Sequence, residues 1–544
     1  MTRLSRRSFL QLLGVGGLGW LASRCVPRSL QPNDVDVFAW QGPGTNTTGM
    51  GERGYPSPAP SPLSESVDLA VRLTAVEDEV PLFPGPPTRV WRFRGELLQG
   101  SGEAFQALPD SYLGPTFRVR KGQRVRVTFE NQIPEESIVH WHGLHVPDVY
   151  DGHPRFVIPR GAVYEYDLQI VDRAGTYWYH PHPHGRTGPQ VYWGMAGLFI
   201  VDDDEADALG LPAGEYDIPL VLQDRLVDDR NQFVYLSNGM MDAMVGFLGN
   251  QILVNGRPDF RLQVATRPYR LRILNGSNAR IYKLAWEDGT PLTVIGTDGG
   301  LLERPVQRPY VTLAPAQRVE LWVDFAQYPV GTQLRMVSLP HPAPGGQQGF
   351  TVYTVEVVRR EKHDLRLPQR LTLISRYRAE EAVNRDRPRT FHLAMTMGRG
   401  WTLNGRTFEM TRVADDEVVR LGDLEIWSFV NQAFGGMGMG RGRRGGMGSG
   451  MGMMGMSLPH PMHVHGLQFQ ILRREVDPNW RSYWEAFSAG FVDEGWHDTV
   501  LVLPGERVDI LLRFEDFEGL YLYHCHNLEH EDMGMMRNYR VVAG

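Results

Sequence analysis

The stretch LYLYHCHNLEHEDMGMM, residues 520–536, sets a cysteine between two histidines and adds a third histidine and three methionines downstream. The chain's other cysteine is Cys25, near its start. A lone internal thiol is not part of a disulfide framework; it is an inert core residue, a nucleophile or a metal ligand. The run alternates as a strand does, so His524 and His526 share one face and Cys525 points to the other. His530 and Met535 follow the cysteine by five and ten residues.

The 17 histidines are unevenly spread. Residues 215–360 hold only His341, whereas HWHG (140–143), HPHPHG (180–185), HPMHVHG (460–466) and HCHNLEH (524–530) hold most of the others. Four H-x-H pairs result: His140/His142, His180/His182, His463/His465 and His524/His526. On an extended strand each pair offers two imidazoles to one point. The arrangement is also doubled. Near both ends of the chain an H-x-H-G motif precedes a G-x-Y-x-Y-H-x-H strand, GTYWYHPH at 175–182 and GLYLYHCH at 519–526. Two related domains facing each other would gather eight imidazoles, a donor set suited to copper, zinc, iron or nickel. A single histidine is ordinarily a satisfied core residue, but two matched sets are not explained that way. On the opposite face of the last strand, Cys525 has His530 and Met535 downstream and His460 upstream. Two imidazoles, a thiolate and a weakly held thioether are the ligands of a blue-copper electron-transfer site. Cys525 therefore reads as a metal ligand, and its strand as a short covalent link between two metal centres.

The rest of the chain is patterned for sheets. FRVRKGQRVRVTFEN (117–131), RPYRLRILNGSN (267–278) and QRVELWVDF (317–325) alternate over several residues, with Gly and Pro frequent between such runs. This is the pattern of β-sandwich or barrel domains. GPTFRVRKGQRVRVTFEN (114–131), GRPDFRLQVATRPYRLRILN (256–275) and NGRTFEMTRVADDEVVRLGDLEIWSFVN (404–431) form a weak internal repeat in which a Phe leads into a strand closing on Asn. A chain of 544 residues exceeds one core. The expected organisation is an export signal at 1–25, a Gly/Pro/Ser-rich tether at 26–65, and three sandwiches at 66–205, 206–362 and 363–544. The net charge of −7, with no basic block beyond the start, argues against a nucleic-acid partner. SRRSFLQLLGVGGLGWLA (5–22) is similar to a twin-arginine export signal, too short and glycine-rich to span a bilayer. Its removal would take away Arg3, Arg6, Arg7 and Arg24 and no acid. The mature chain is expected outside the cytoplasm, periplasmic or secreted, without membrane insertion.

At the four histidine motifs the sequence resembles the three-domain multicopper oxidases, particularly bacterial laccases and periplasmic cuprous oxidases, over roughly residues 66–544. The resemblance implies an all-β chain of three cupredoxin-like Greek-key sandwiches holding four copper ions. It implies a type 1 copper on His460, Cys525 and His530 with Met535 axial, and a type 2 copper on His140 and His463. It implies a type 3 pair on His142, His180, His182, His465, His524 and His526. His184 follows the pattern of some relatives without being a ligand in them. The reaction implied is one-electron oxidation of reducing substrates, phenols or Cu(I), coupled to reduction of dioxygen to water, by a monomer. Asp151 and Glu531 match acids that relay protons in related enzymes, although Asp151-Gly152 is also a turn dipeptide. Asp498 is expected to steady a type 1 ligand and His497 to lie at the surface.

GGMGMGRGRRGGMGSGMGMMGM (435–456) carries seven of the 21 methionines just ahead of His460. Thioether sulfur favours Cu(I), and Met240, Met241 and Met244 add to that theme. Cuprous oxidases combine methionine with aspartate, whereas residues 432–459 contain no acid but do contain Arg441, Arg443 and Arg444. Three readings follow: a broad laccase-like oxidase, a copper-detoxifying cuprous oxidase, and a non-catalytic copper store or electron carrier. The complete paired histidine set argues against the last.

Overall fold

Each copy of the repeat ends in a strand closing on asparagine: Arg124–Asn131, Pro268–Asn275 and Leu424–Asn431. The computed structural model describes residues 66–396, 398–432 and 457–544. The expected export signal and tether, and the methionine-rich stretch, lie outside these residues. Each closing strand runs parallel to an earlier one, Leu69–Val80, Asp217–Arg225 and Arg389–Thr396 respectively. A second parallel pair also recurs: Thr116–Arg120 with Gly197–Asp202, Arg261–Ala265 with Phe350–Arg359, and Val418–Arg420 with Met536–Val542. Parallel neighbours cannot be joined by a tight hairpin, so the chain must cross between sheets in all three copies.

The asparagines show why the repeat closes as it does. An amide nitrogen carries two hydrogens, and each asparagine spends them on two backbone carbonyls, the nearer in sequence being in the loop that leads to the next strand. Asn131 donates to Glu135 and Ile158, Asn275 to Arg280 and Leu313, and Asn431 to Leu458 and Val502. The loops so pinned lead into the histidine strands of the first and third copies.

Among the described residues six sheets result, two per copy, with four and five strands in the first, seven and five in the second, and five and five in the third. Each pair encloses an apolar core, with Leu73, Val127, Trp141 and Phe199 in the first. Leu271, Leu284 and Leu321 fill the second, and Trp427, Tyr523 and Ile510 the third. These are three cupredoxin-like sandwiches. No helix among the described residues is long and apolar enough to cross a membrane.

Strand Pro268–Asn275 alternates, yet it is buried on both faces. Tyr269, Leu271 and Ile273 enter the second core, while Leu274 joins the core of the first. Arg270 and Arg272 therefore face the first domain instead of water. Arg272 donates to Asp217 at 2.7 Å, Glu320 at 2.8 Å and Thr176 at 3.1 Å. Burial pushes the Asp217 carboxyl up, but Arg272 and Arg270 outweigh it and hold it at about 2, below its ordinary 3.8. Arg272→Met leaves two buried carboxylates short of their cation and should destabilise the chain by about 3–5 kcal/mol. The share carried by Asp217 is full above 3.8 and lost as pH falls through about 2. The gap in unfolding midpoint between wild type and variant should therefore narrow on acidification; a gap independent of pH would refute this account.

Candidate metal centres

The edge strand Val139–His142 pairs with Gly175–Pro181 so that His140 lies directly opposite His180. In the third domain His460–Val464 pairs with Gly519–Cys525, placing His463 opposite His524. Directly opposed residues share a face, so each domain presents its two H-x-H pairs together, and the two faces meet. All eight histidines are buried. Their ring nitrogens converge in groups: His140, His142 and His463; His142, His180 and His526; His182, His465 and His524.

The hydrogen bonds behind these rings fix which nitrogen faces inward. Nδ1 of His140 donates to the Asp151 carbonyl at 2.6 Å and Nδ1 of His463 to the Asp498 carbonyl at 2.8 Å. Their Nε2 atoms are left 3.3 Å apart. His465 Nδ1 is held by Asp151 Oδ2 at 2.7 Å, turning its Nε2 to within 3.0 Å of His524 Nε2. His142 is reversed: Nε2 meets Asp498 Oδ1 at 3.0 Å, and Nδ1 is the buried nitrogen without a hydrogen bond. Nε2 of His180 and of His526 are equally unpartnered. Burial, reinforced by neighbouring imidazoles, lowers His142, His180, His463, His465 and His526 well below the ordinary range, so these rings are neutral. Buried polar atoms normally have partners; neutral imidazoles converging with free lone pairs fit metal ions.

A second group lies on the other face of the same strand. Cys525 Sγ is 3.5 Å from His460 Nδ1 and 3.7 Å from His530 Nδ1, and those nitrogens are 3.3 Å apart. Met535 is buried beside them, its carbonyl accepting from Cys525 N at 3.0 Å and its N–H reaching the His530 carbonyl at 2.9 Å. Burial pushes the Cys525 thiol up, so a thiolate there needs a cation beside it. Asn527 N–H also points at the sulfur, at 3.4 Å. Trp401 packs on both histidines, its ring 4.8 Å from His460 and 4.5 Å from His530. Its Nε1 and His530 Nε2 both donate to the carbonyl of Met244, at 3.1 and 3.0 Å. That carbonyl belongs to the short helix Met240–Val245 of the second domain.

The acids separate by role. Asp151 is wholly buried, and burial pushes its carboxyl up against the opposing pull of His140. Glu531 lies with Oε2 3.1 Å from His524 Nδ1 and Oε1 3.5 Å from His182 Nε2. Burial pushes Glu531 up, but those two histidines outweigh it and hold it at about 2. Two expectations are corrected. Asp498 stands behind His142 and His463, not behind a ligand of the sulfur site, because it immediately precedes strand Thr499–Val502, which pairs with His460–Val464. His497 is buried, its backbone paired with Phe469 and its Nδ1 3.4 Å from Asp298. His184 packs on Phe408 and joins no metal-holding group among the described residues. Sequence reading missed Trp401, the Met244 carbonyl and Arg318; a backbone carbonyl leaves no mark in a sequence.

Family models described as multicopper oxidase match residues 95–206 and 382–544. A laccase of Bacillus stratosphericus is 30% identical over 512 residues, covering 84% of this chain and 91% of that protein. Among solved structures, a variant of the McoA multicopper oxidase from the hyperthermophile Aquifex aeolicus aligns with a TM-score of 0.72 and 35% identity, covering 88% of this chain and 97% of that one. A laccase-like multicopper oxidase, CueO, of Ochrobactrum, an oxidase of lignin model compounds and lignosulfonate, aligns with a TM-score of 0.71 and 30% identity, over 87% of this chain and 97% of that one. Similar in sequence and in fold across nearly the whole length of such relatives, the chain belongs to the multicopper oxidase family.

Proposed function

We propose that this protein is a laccase-like oxidase that takes single electrons from phenolic or other small reducing substrates, Cu(I) among them, and passes them to dioxygen. Four copper ions are assigned. His460, Cys525, His530 and Met535 would hold one; His140 and His463 would hold the second; His142, His180 and His526, and His182, His465 and His524, would hold the remaining two. Bound there, copper would supply one-electron oxidation at the sulfur site and reduction of dioxygen to water at the histidine cluster. The observation that carries the reading is the single strand Gly519–Cys525, which with the next residue serves both sites: His524 and His526 face one, Cys525 the other. No shorter covalent connection between two such sites is possible than adjacent residues.

The chain's own groups complete the scheme. Glu531 and Asp151 are the carboxyls assigned to carrying protons to the cluster. Glu531 does so from Oε2 beside His524 Nδ1, and Asp151 from Oδ1, which takes no hydrogen bond while Oδ2 orients His465. The burial of all eight histidines excludes bulk water from the cluster. We assign domains to 66–205, 206–362 and 363–544, export through the N-terminal signal to the periplasm or exterior, and a monomeric state.

One observation favours Cu(I) as a substrate. Helix Met240–Val245, whose carbonyl meets His530, exposes Met240 and Met241 to solvent, and thioethers are soft ligands. Oxygen uptake by the copper-loaded chain, with dimethoxyphenol and with a stabilised Cu(I) complex, separates the readings. Phenol turnover without added copper supports the laccase reading; phenol turnover only with added copper, beside fast Cu(I) turnover, makes the protein primarily a cuprous oxidase. Deletion of residues 437–454 should alter the Cu(I) rate more than the phenol rate; equal losses would make that stretch merely structural.

A further inference from the structure

The second domain supplies none of the ligands assigned above among the described residues, yet one of its side chains stands behind both halves of the histidine cluster. Arg318 opens strand Arg318–Asp324 and its side chain is wholly buried. A guanidinium has five N–H bonds in a fixed fork, and here all five have acceptors. Nε donates to the Thr176 carbonyl at 2.7 Å. Nη1 donates to the Ala316 carbonyl at 3.1 Å and Asp498 Oδ1 at 2.8 Å. Nη2 donates to the Asp298 carbonyl at 2.9 Å and to Asp498 Oδ2.

Two of these acceptors lead directly to histidines. Thr176 lies on strand Gly175–Pro181 of the first domain, which carries His180. Asp498, in the third, accepts His142 Nε2 on Oδ1 and His463 Nδ1 on its carbonyl. The bidentate grip on Asp498 therefore sets the ring plane of His142, whose Nδ1 is the nitrogen left to face the cluster. The turn after His142 is shaped to admit this pair: at Gly143 (φ +89°) a β-carbon would fall 2.5 Å from Asp498 Oδ2 and 2.9 Å from Arg318 Nη2.

We propose that Arg318 is a positioning residue for the histidine cluster: through Asp498 and Thr176 it orients His142 and holds the two ligand-bearing domains in register. Desolvating a charge pair so completely is a poor way to gain stability, since an apolar replacement of both partners often does as well. Its use here is geometric. The inference rests on the assignment of copper to these histidines.

The test compares full-length, copper-loaded wild type with Arg318→Lys and with Arg318→Met/Asp498→Leu. The first keeps the charge but not the fork; the second removes both partners, so that no buried charge is stranded. Copper per chain, the type 2 electron paramagnetic resonance signal, the blue absorption band and the unfolding midpoint of the copper-free chains are read. Both variants are expected to fold and keep the blue band while binding cluster copper about 10–100-fold more weakly, the range for groups that orient metal ligands. Cluster copper at wild-type affinity in the lysine variant would show that charge alone suffices and overturn the proposal. The same result in the double variant would reduce the pair to a domain fastening. A wild type that holds no copper on its histidines would instead sink the functional reading, and is distinguished by its lack of the type 2 signal.

Discussion

Cys525→Ser should eliminate the blue absorption band and bring oxygen uptake to background, with the histidine-cluster copper retained. The hydroxyl is a hard donor that ionises far less readily than a thiol, so the position loses both its softness and its negative charge. Groups that merely orient a metal ligand are worth about 10–100-fold; loss of the sulfur itself should exceed that range for every reducing substrate, phenol and Cu(I) alike. The fold should tolerate the change, because Cys525 sits among Met462, Val464 and Met535 in the third core and serine is close in size. Near-native turnover in this variant would refute the assignment of Cys525 as the ligand joining the two sites.

Glu531→Gln should lower oxygen uptake by roughly a hundredfold, the lower end of the range for a positioned proton donor, while copper content and the blue band stay at wild-type values. Glutamine keeps the shape and one acceptor beside His524, so the imidazole stays oriented and only proton transfer is lost. Anaerobic reduction of the sulfur site should proceed at the wild-type rate, locating the defect at dioxygen. Uptake within a factor of about two of wild type would remove Glu531 from the proton path and leave Asp151 to be tested alone.

Much of this architecture was legible because strand geometry is strict. Period-two alternation separates Cys525 from His524 and His526 without reference to any other residue, and the three strands closing on Asn131, Asn275 and Asn431 announce three copies of one unit. What stayed hidden depends on contacts between copies. Arg272 and Arg318 occupy positions that a single strand would give to solvent, and only the docking of the first domain on the second makes them buried. Asp498 was assigned to the wrong centre because its role follows from strand Thr499–Val502 pairing with His460–Val464, a long-range register that local spacing does not encode. His497 looked exposed for the same reason.

Helix Leu528–Asp532 is only five residues long, yet four of its side chains answer to four different parts of the molecule. Glu529 accepts from Tyr235, Asn278 and the Phe247 amide of the second domain. His530 serves the sulfur site and Glu531 the histidine cluster. Asp532 accepts the amides of Thr187 and Gly188 in the first domain. Consecutive helical residues are splayed by about 100°, which is what lets one turn point in all these directions. The same angle leaves no slack. Inserting or deleting a single residue here would rotate every downstream side chain onto its neighbour's task, so the segment is frozen in length as well as in composition. Attempts to retune this oxidase by directed evolution should therefore spare 528–532 and vary the surroundings of Met535 and Trp401, where one side chain can change without displacing three others.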